Sequence, residues 1–147
     1  MQITLASISP RRGKSKSEPT DQLVHDYVTR STRFNPTDTA IFPTEEALLQ
    51  SLDRPRTTLI LLDSRGDLLT SEQFAATLGV LRDNGAHRVT IAIGPADGWS
   101  PAAHARAAKT ISLGRITLPH ELARAVLAEQ IYRALTILAR HPYHSGH

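Results

Sequence analysis

The feature that most constrains the fold is a regular alternation of short β-type runs with stretches of helical periodicity. The β runs are QITLASI (2–8), TAIF (39–42), TTLILLD (57–63), RVTIAIG (88–94) and KTISLG (109–114). Helical patterns lie between them and after the last run. This alternation predicts an α/β fold with a mostly parallel sheet and flanking helices.

The predicted helices begin at residues that favour helix N-termini. After a first helix over about residues 20–32, Thr44 precedes two glutamates, and Thr70 or Ser71 precedes an apolar stripe. A fourth helix starts at Ser100-Pro101, which pairs a cap with a proline at the first helical position. Pro119 opens the final helix.

Three of the β runs pass directly into a glycine-bearing loop, in the segments LLDSRG, IAIGPADG and ISLGRITLP. Parallel sheets bind ligands in the crevice at the carboxyl ends of their strands, and glycine lets the backbone approach a ligand closely. One such loop more often only turns the chain, but three in succession favour a nucleotide-like pocket. Neither GxGxxG nor GxxxxGK[ST] occurs, so no Rossmann dinucleotide site or P-loop is predicted.

Composition narrows the classes of function. A chain of 147 residues suits one domain, its apolar runs are too short to cross a membrane, and no signal-peptide pattern opens it, so we expect a cytoplasmic protein. Without cysteine, disulfides, thiolate metal sites and a cysteine nucleophile are excluded. The net charge of +3 mildly favours an anionic partner such as RNA. The basic cluster RRGKSK (11–16), taken by itself, is more typical of a solvated loop.

The final helical segment, PHELARAVLAEQIYRALTILARH (119–141), is apolar on two faces. One stripe suffices to pack a helix on a sheet, so the second stripe predicts contact with another copy of the chain across a two-fold axis. Glu129 and Arg133 are spaced to brace each other, whereas Arg124 and Arg140 have no partner at the favoured spacing.

The segment ITLPHELARAVLAEQIYRAL, followed by HPYH, resembles the C-terminal signature of the ribosomal RNA large subunit methyltransferase H family, in the SPOUT superfamily. LLDSRGDLLTSEQFA and IAIGPADGWS resemble two upstream segments of that family. The similarity runs over about residues 57–144 and is weaker over the first strand. Four ordered motifs across a small domain make the resemblance specific.

The resemblance implies a SPOUT-type α/β knot, in which the C-terminal part of a single domain (1–147), from about residue 88, forms a deep trefoil knot. It also implies a homodimer formed through the final helix. The family uses S-adenosylmethionine to methylate N3 of a pseudouridine in the helix 69 loop of 23S rRNA. Carried over by position, the donor contacts are Leu62, Gly94, Leu113, Gly114, Arg115, Ile116, Thr117 and Leu118.

The end of the chain supplies the candidate catalytic residues. By the same resemblance, His144 accepts the N3 proton and Tyr143 contacts the target base, while Arg124 and Arg133 hold phosphate or the anionic base. His141, His144 and His147 imitate a metal site, but no carboxylate or cysteine joins them, so no metal is expected.

Two departures from the family pattern leave an alternative open. Pro95 stands where the family has a second glycine, and Ser145 stands where its tails carry a basic residue. A noncatalytic RNA-binding or ribosome-associated module that retains the knotted fold is therefore the alternative function. A flavodoxin-like small-molecule binder is a third interpretation, but it would not need a terminal helix with two apolar faces.

Overall fold

The computed structural model describes residues 1–9, 19–53 and 55–146; the RRGKSK cluster (11–16) and His147 lie outside these ranges. Within these ranges, five strands and five α-helices alternate. In order they are β1 (Gln2–Ile8), α1 (Pro19–Ser31), β2 (Thr37–Phe42), α2 (Glu45–Gln50), β3 (Thr58–Leu68), α3 (Ser71–Asp83), β4 (Arg88–Ile93), α4 (Pro101–Arg106), β5 (Lys109–Ser112) and α5 (His120–Leu138). A 3₁₀ turn, His144–Gly146, follows α5.

The strands form one sheet in the order β2-β1-β4-β3-β5, and every neighbouring pair is parallel. Strands β4, β3 and β5 are consecutive in this order, so their carboxyl ends lie side by side at one edge of the sheet. The predicted α/β class with a parallel sheet is confirmed.

Helices cover both faces of the sheet, which explains why the strand sequences are almost continuously apolar. Ile3, Ile60 and Ile91 point to the face covered by α1, α3 and α5. Leu61 and Ala92 point to the opposite face, which α2 and α4 cover. Neighbouring residues thus alternate between two cores, as the pleat of a strand requires.

The predicted helix starts agree with the capping geometry. The Thr70 side chain accepts a hydrogen bond from the backbone N–H of Gln73, and the Gln73 side chain accepts one from the backbone N–H of Thr70. Thr44 and Ser100 cap α2 and α4 by accepting from the third residue after each. Thr70, rather than Ser71, is therefore the cap of α3.

Strand β3 is longer than the sequence predicts. We expected the chain to leave the sheet after residue 63, but β3 continues to Leu68. Leu62 and Asp67 both pair with Ile111 of β5, so residues 63–66 bulge out between them. A Cβ at Gly66 would lie 2.6 Å from the backbone carbonyl carbon of Ile111. Glycine is required there because two backbones meet without room for a side chain.

Two helices of the same chain pack against α5, although Leu122 of α5 is 43% exposed. Helix α1 packs along one side, where Tyr27 contacts Tyr132. Helix α3 packs along the other, where Ser71 reaches Gln130. Helices α1 and α3 thus supply part of the cover that we assigned to another copy of the chain, and contact with a second copy is not tested by this structure. The homodimer and the threading of the knot remain predictions.

Within the described residues, no helix combines the length and the apolarity that crossing a membrane requires.

Candidate active site

The carboxyl ends of β3, β4 and β5 surround a cleft of about 690 Å³, which we call the strand-end cleft. Its wall comes from residues 62–65 at the bulge of β3, residues 93–99 at the end of β4 and beyond it, and the segment from 112 into the start of α5. Because the three strands are adjacent in the sheet, these segments converge although they are far apart in sequence. The volume is in the usual range for small-molecule sites.

Most of the predicted donor-binding residues lie in this cleft. Of the eight, only Arg115 is not part of its wall; its side chain is exposed in the same loop. Gly114 has φ of 141°, a conformation that L side chains rarely adopt. Ser112 holds this turn, since its hydroxyl donates to the Gly114 carbonyl at 2.8 Å. The residues lining the cleft are Leu62, Gly94, Leu113, Gly114, Ile116, Thr117 and Leu118.

Trp99 links two of the converging segments, and sequence analysis did not identify it. Its indole Nε1 donates to the Leu62 carbonyl at 2.8 Å. The ring lies so close to Gly94 that a Cβ there would be 2.7 Å from a ring atom. Pro95 does not prevent the loop from closing, because its carbonyl accepts a hydrogen bond from the backbone N–H of Gly98. The signal available in the sequence was a single tryptophan inside a glycine-bearing loop.

Asp63 places a buried carboxylate in the wall of the cleft, with its side chain only 7% exposed. It accepts a hydrogen bond from the backbone N–H of Arg65 at 2.9 Å. The imidazole Nε2 of His104, on α4, lies 3.5 Å from its other oxygen. A carboxylate in this position favours a ligand that carries positive charge.

The C-terminal tail (residues 140–146) folds back after α5. The backbone N–H of Arg140 bonds to the carbonyl of Ile137, and that of His141 bonds to the carbonyl of Thr136. These two bonds form a Schellman motif, in which the reversing residue is usually glycine. Arg140 takes that position with φ of 56°. The start of the tail is therefore anchored at the end of α5.

Tyr143 is held by residues of α5 and α1. Its hydroxyl donates to Glu129 Oε1 at 3.2 Å, and its ring meets Tyr132 edge-on with centroids 4.6 Å apart. The Arg133 guanidinium lies 5.0 Å from the ring centroid. Burial, hydrogen bonding with Tyr27 and the negative charge of Glu129 raise the pKa of Tyr143 well above its usual value. The side chain therefore stays a neutral phenol.

His144 bridges α3 and α5. Its Nε2 lies 2.7 Å from Glu72 Oε1, and its Nδ1 lies 3.0 Å from Arg133 Nη1. A guanidinium can only donate, so Nδ1 is the acceptor and the proton is on Nε2, which donates to Glu72. This hydrogen bond is the main reason that the pKa of Glu72 is lowered. Both ring nitrogens are engaged, so His144 must release Arg133 before Nδ1 can accept a proton.

Glu129 organises the residues beneath the tail. Its Oε1 accepts from Nε and Nη2 of Arg133, at 2.8 and 2.6 Å, as well as from Tyr143. Its Oε2 accepts from Gln130 Nε2 at 2.7 Å. The predicted brace between Glu129 and Arg133 is confirmed. Sequence analysis missed the wider role of Glu129, because its contacts with the tail arise only when the chain folds back.

Arg124 does not lie with the tail residues. Its Nη1 donates to Asp21 at 2.7 Å and to Glu121 at 2.9 Å, and its side chain is 8% exposed. It precedes Arg133 by nine residues on α5, or about 14 Å along the axis. Our expectation that Arg124 lacks a nearby partner is wrong, since we overlooked Glu121 three residues earlier and could not foresee Asp21. Arg133 is the arginine that contacts the tail.

No group of three or more His, Asp or Glu side chains among the described residues could hold a metal ion. The contact between His144 and Glu72 provides one imidazole and one carboxylate, and His147 lies outside the described part of the chain.

The parallel sheet and its cleft can be compared with known protein families. The family model described as "Predicted SPOUT methyltransferase" matches residues 1–144, and the chain belongs to this family. Within it, the chain is similar to the ribosomal RNA large subunit methyltransferase H of Koribacter versatilis, with 46% identity over 138 residues that cover 92% of this chain and 94% of the relative. The resemblance found in the sequence is thereby confirmed.

A second relative and one solved structure agree with this assignment. The ribosomal RNA large subunit methyltransferase H of Rhizobium rhizogenes is 55% identical over 100 residues, or 68% of this chain and 62% of that protein. The SpoU methyltransferase AviRb from Streptomyces viridochromogenes, solved in complex with AdoMet, has a TM-score of 0.50 and 11% identity, covering 95% of this chain and 61% of that one. At that identity the likeness concerns the fold alone.

Proposed function

We propose that this protein transfers a methyl group from S-adenosylmethionine to N3 of a pseudouridine in the helix 69 loop of 23S rRNA. We further propose that it acts as a cytoplasmic homodimer on the large subunit or the assembled ribosome. The observation that carries the proposal is the convergence of seven expected donor-binding residues on one cleft. The relatives named ribosomal RNA large subunit methyltransferase H support the rRNA substrate.

The chemistry of the strand-end cleft suits this donor. S-adenosylmethionine carries a sulfonium and an ammonium cation, for which the buried Asp63 carboxylate is a favourable neighbour. Backbone groups of the loop over residues 113–118 can hydrogen-bond the edge of an adenine, while Leu113 and Leu118 offer apolar surface to its faces.

The bound donor supplies an electrophilic methyl group: the bond from carbon to N3 forms as the bond from carbon to sulfur breaks, and N3 loses its proton. The protein aligns the two reactants and excludes water. His144 is the proposed acceptor of the N3 proton, through Nδ1, once the base displaces Arg133 from that nitrogen. Tyr143 is the proposed donor to an imide oxygen once its hydroxyl leaves Glu129 Oε1, because its raised pKa keeps the phenol protonated.

The released Arg133 has a role in the same proposal. Glu129 holds Nε and Nη2 of the guanidinium, so Nη1 stays in place beside the tail and can donate to a phosphate or to the anionic base once His144 moves away from it. Of the two arginines to which we gave this role, Arg133 is the one proposed here, because Arg124 is occupied by two carboxylates.

The test is mass mapping of helix 69 RNA, in pseudouridylated and unmodified forms and within ribosomes, after incubation with the protein and labelled donor. A methyl group on N3 of one pseudouridine is the expected result. Calorimetric titration with the donor accompanies it. A protein that binds this RNA but neither binds the donor nor methylates would instead be the noncatalytic module.

The role of His144 is tested separately with His144→Ala. We expect methyl transfer to fall by about 100-fold, within the usual range for losing a general base, while donor affinity stays unchanged. Undiminished turnover by a variant that still binds the donor would remove His144 as the base.

A further inference from the structure

We infer that a second cavity, beside the strand-end cleft, binds the target pyrimidine base; the inference rests on the proposed function and specifies its substrate site. The cavity has a volume of about 290 Å³ and lies between the start of α3, the end of β5 and the middle of α5. We call it the base slot. Its wall includes Thr70, Ser71, Phe74, Ser112, Leu113 and Gln130.

The base slot and the strand-end cleft share two wall residues, Ser112 and Leu113. Ligands in the two spaces would therefore lie on either side of the end of β5. Methyl transfer requires the nucleophile to come within about 3–3.5 Å of the methyl carbon. A base held here would be beside the donor without competing for the donor's space.

The size of the slot favours a single base over a larger ligand. Its volume lies at the lower end of the range for small-molecule sites, about 300 Å³. Phe74, Leu113 and Val126 provide apolar surface for the faces of a ring. RNA bases that leave their stack are commonly held between such side chains and read at their edges by hydrogen bonds.

The polar side of the slot can form hydrogen bonds with the imide edge of a pyrimidine base. Ser71 Oγ donates to Gln130 Oε1 at 2.7 Å, and Gln130 Nε2 donates to Glu129 Oε2 at 2.7 Å. These two bonds fix the orientation of the Gln130 amide. One amide hydrogen and a lone pair on its oxygen remain for a ligand. The Watson–Crick edge of uracil or pseudouridine presents an N–H between two carbonyls. The remaining amide hydrogen of Gln130 can donate to one of these carbonyls, which leaves the N3–H for His144 and N3 for the methyl group.

The slot is also connected to the tail. Gln130 bonds to one oxygen of Glu129, and the other oxygen accepts from Tyr143 and Arg133. The polar wall is thus two hydrogen bonds away from the tail residues. Slot, cleft and tail form one continuous arrangement, in which Gln130 is a candidate specificity residue for the base.

The test measures binding rather than turnover alone. Two versions of helix 69 RNA are titrated against the full protein with donor present: one intact, and one abasic at the target position. We expect the wild-type protein to bind the intact RNA about tenfold more tightly, the value of one or two net hydrogen bonds. Gln130→Leu, which keeps the size of the side chain but not its amide, should reduce this preference to about twofold or less.

Val126→Phe and Val80→Phe form a matched pair that separates filling the slot from general damage. Val126 lines the slot, whereas Val80 is exposed on α3 and outside it. Both variants gain the same volume. The first should abolish the preference for the intact RNA and reduce methyl transfer at least tenfold. The second should leave both within twofold of wild type, and calorimetry should give unchanged donor affinity for both.

The outcomes distinguish the slot from the proposed function. If wild type methylates helix 69 RNA but does not prefer intact over abasic RNA, or if both slot variants keep the preference, the inference is wrong and the function stands. If both slot variants lost donor affinity, the cavity would belong to the donor site, and the inference that it binds the target base would be wrong. If Val126→Phe fails to fold, the ratio measured for Gln130→Leu decides. If methylation fails while the preference is present in wild type and lost in both variants, the slot stands and the proposed function falls.

Discussion

The strand-end cleft and the C-terminal tail are built in opposite ways. The cleft is formed by the bulge of β3 and by the loops that follow the adjacent strands β4 and β5, and its shape depends on backbone conformation and close approach, as at Gly94 and Gly114. The tail is held by side chains from three helices, which bring a carboxylate network to His144 and Tyr143. Sheet topology therefore positions the proposed donor site, whereas long-range side-chain contacts position the proposed catalytic residues. Substitutions in one region should leave the other largely intact.

The largest effect is expected for Gly66→Ala. The added Cβ would lie 2.6 Å from the backbone of Ile111, and neither backbone can move without disturbing the β3–β5 pairing. We expect the free energy of unfolding to fall by about 3 kcal/mol, the upper end of the usual overpacking cost. Denaturant unfolding measures it, and donor affinity should fall too because residues 63–65 line the cleft.

Gly85→Ala is the control for that substitution. A Cβ at Gly85 would meet nothing within 4 Å, but its φ is +84°. The cost should be about 1 kcal/mol, from backbone strain alone. Equal losses of stability for the two variants would show that close approach at Gly66 is not what glycine is needed for.

The tail should respond most strongly to Glu129→Gln. This change replaces the carboxylate that accepts hydrogen bonds from Arg133 and Tyr143 with a neutral amide. Hydrogen bonds to a charged group are worth about 1.5–3 kcal/mol. Turnover should fall about 10- to 100-fold, while calorimetry should give an unchanged donor affinity because the cleft is built by other residues.

Glu121→Gln is the matched control on the same helix. Glu121 also pairs with an arginine, Arg124, but neither contacts the tail. Turnover within about threefold of wild type is expected, as for a partly exposed ion pair. If both variants lost activity equally, the loss would reflect a general weakening of α5 and not the positioning of the tail.

A smaller effect is expected at Trp99, on the cleft side. Trp99→Phe keeps an aromatic ring against Gly94 but removes the hydrogen bond to the Leu62 carbonyl. Losing one neutral hydrogen bond should weaken donor binding by about fivefold. The amide NMR signals of residues 143–145 are a suitable probe that the tail is unchanged, since these residues make no contact with Trp99 in the structure. A changed tail signal would contradict the separation of the two regions.

The smallest effect concerns the exposed contact between Glu72 and His144. The hydrogen bond lowers the pKa of Glu72, so this contact is present above the carboxylate's unfolded pKa and is lost as pH falls through its lower folded value. In an acid titration followed by NMR, the amide signals of residues 143–145 should shift in that range in wild type and not in Glu72→Gln. At neutral pH the variant should lose less than about threefold in turnover. Identical titrations would show that Glu72 does not hold the tail.

The fold and the cleft could be predicted because they follow from local patterns and one topological rule. Apolar β runs with capped helices between them define an α/β sheet, and the ends of adjacent parallel strands must meet. The resemblance then identified the individual cleft residues. The bulge after Leu62 could not be predicted, since an apolar run gives no indication that two residues of β3 pair with Ile111.

The tail was predictable only in part. Its residues came from the resemblance, but their partners are distant in sequence: Glu72 is 72 residues from His144, and Asp21 is 103 residues from Arg124. Helical spacing identified the Glu129–Arg133 pair because that contact is local. For α5, helical spacing gave less, because a second apolar stripe does not reveal how much of its cover comes from this chain and how much from another.

The most direct test of the account is a crystal structure of the protein with S-adenosylhomocysteine. The account predicts that this ligand lies in the strand-end cleft, against Leu62, Gly94 and the loop of residues 113–118, with the base slot open beside it. A ligand bound elsewhere, or one that fills the base slot, would contradict it.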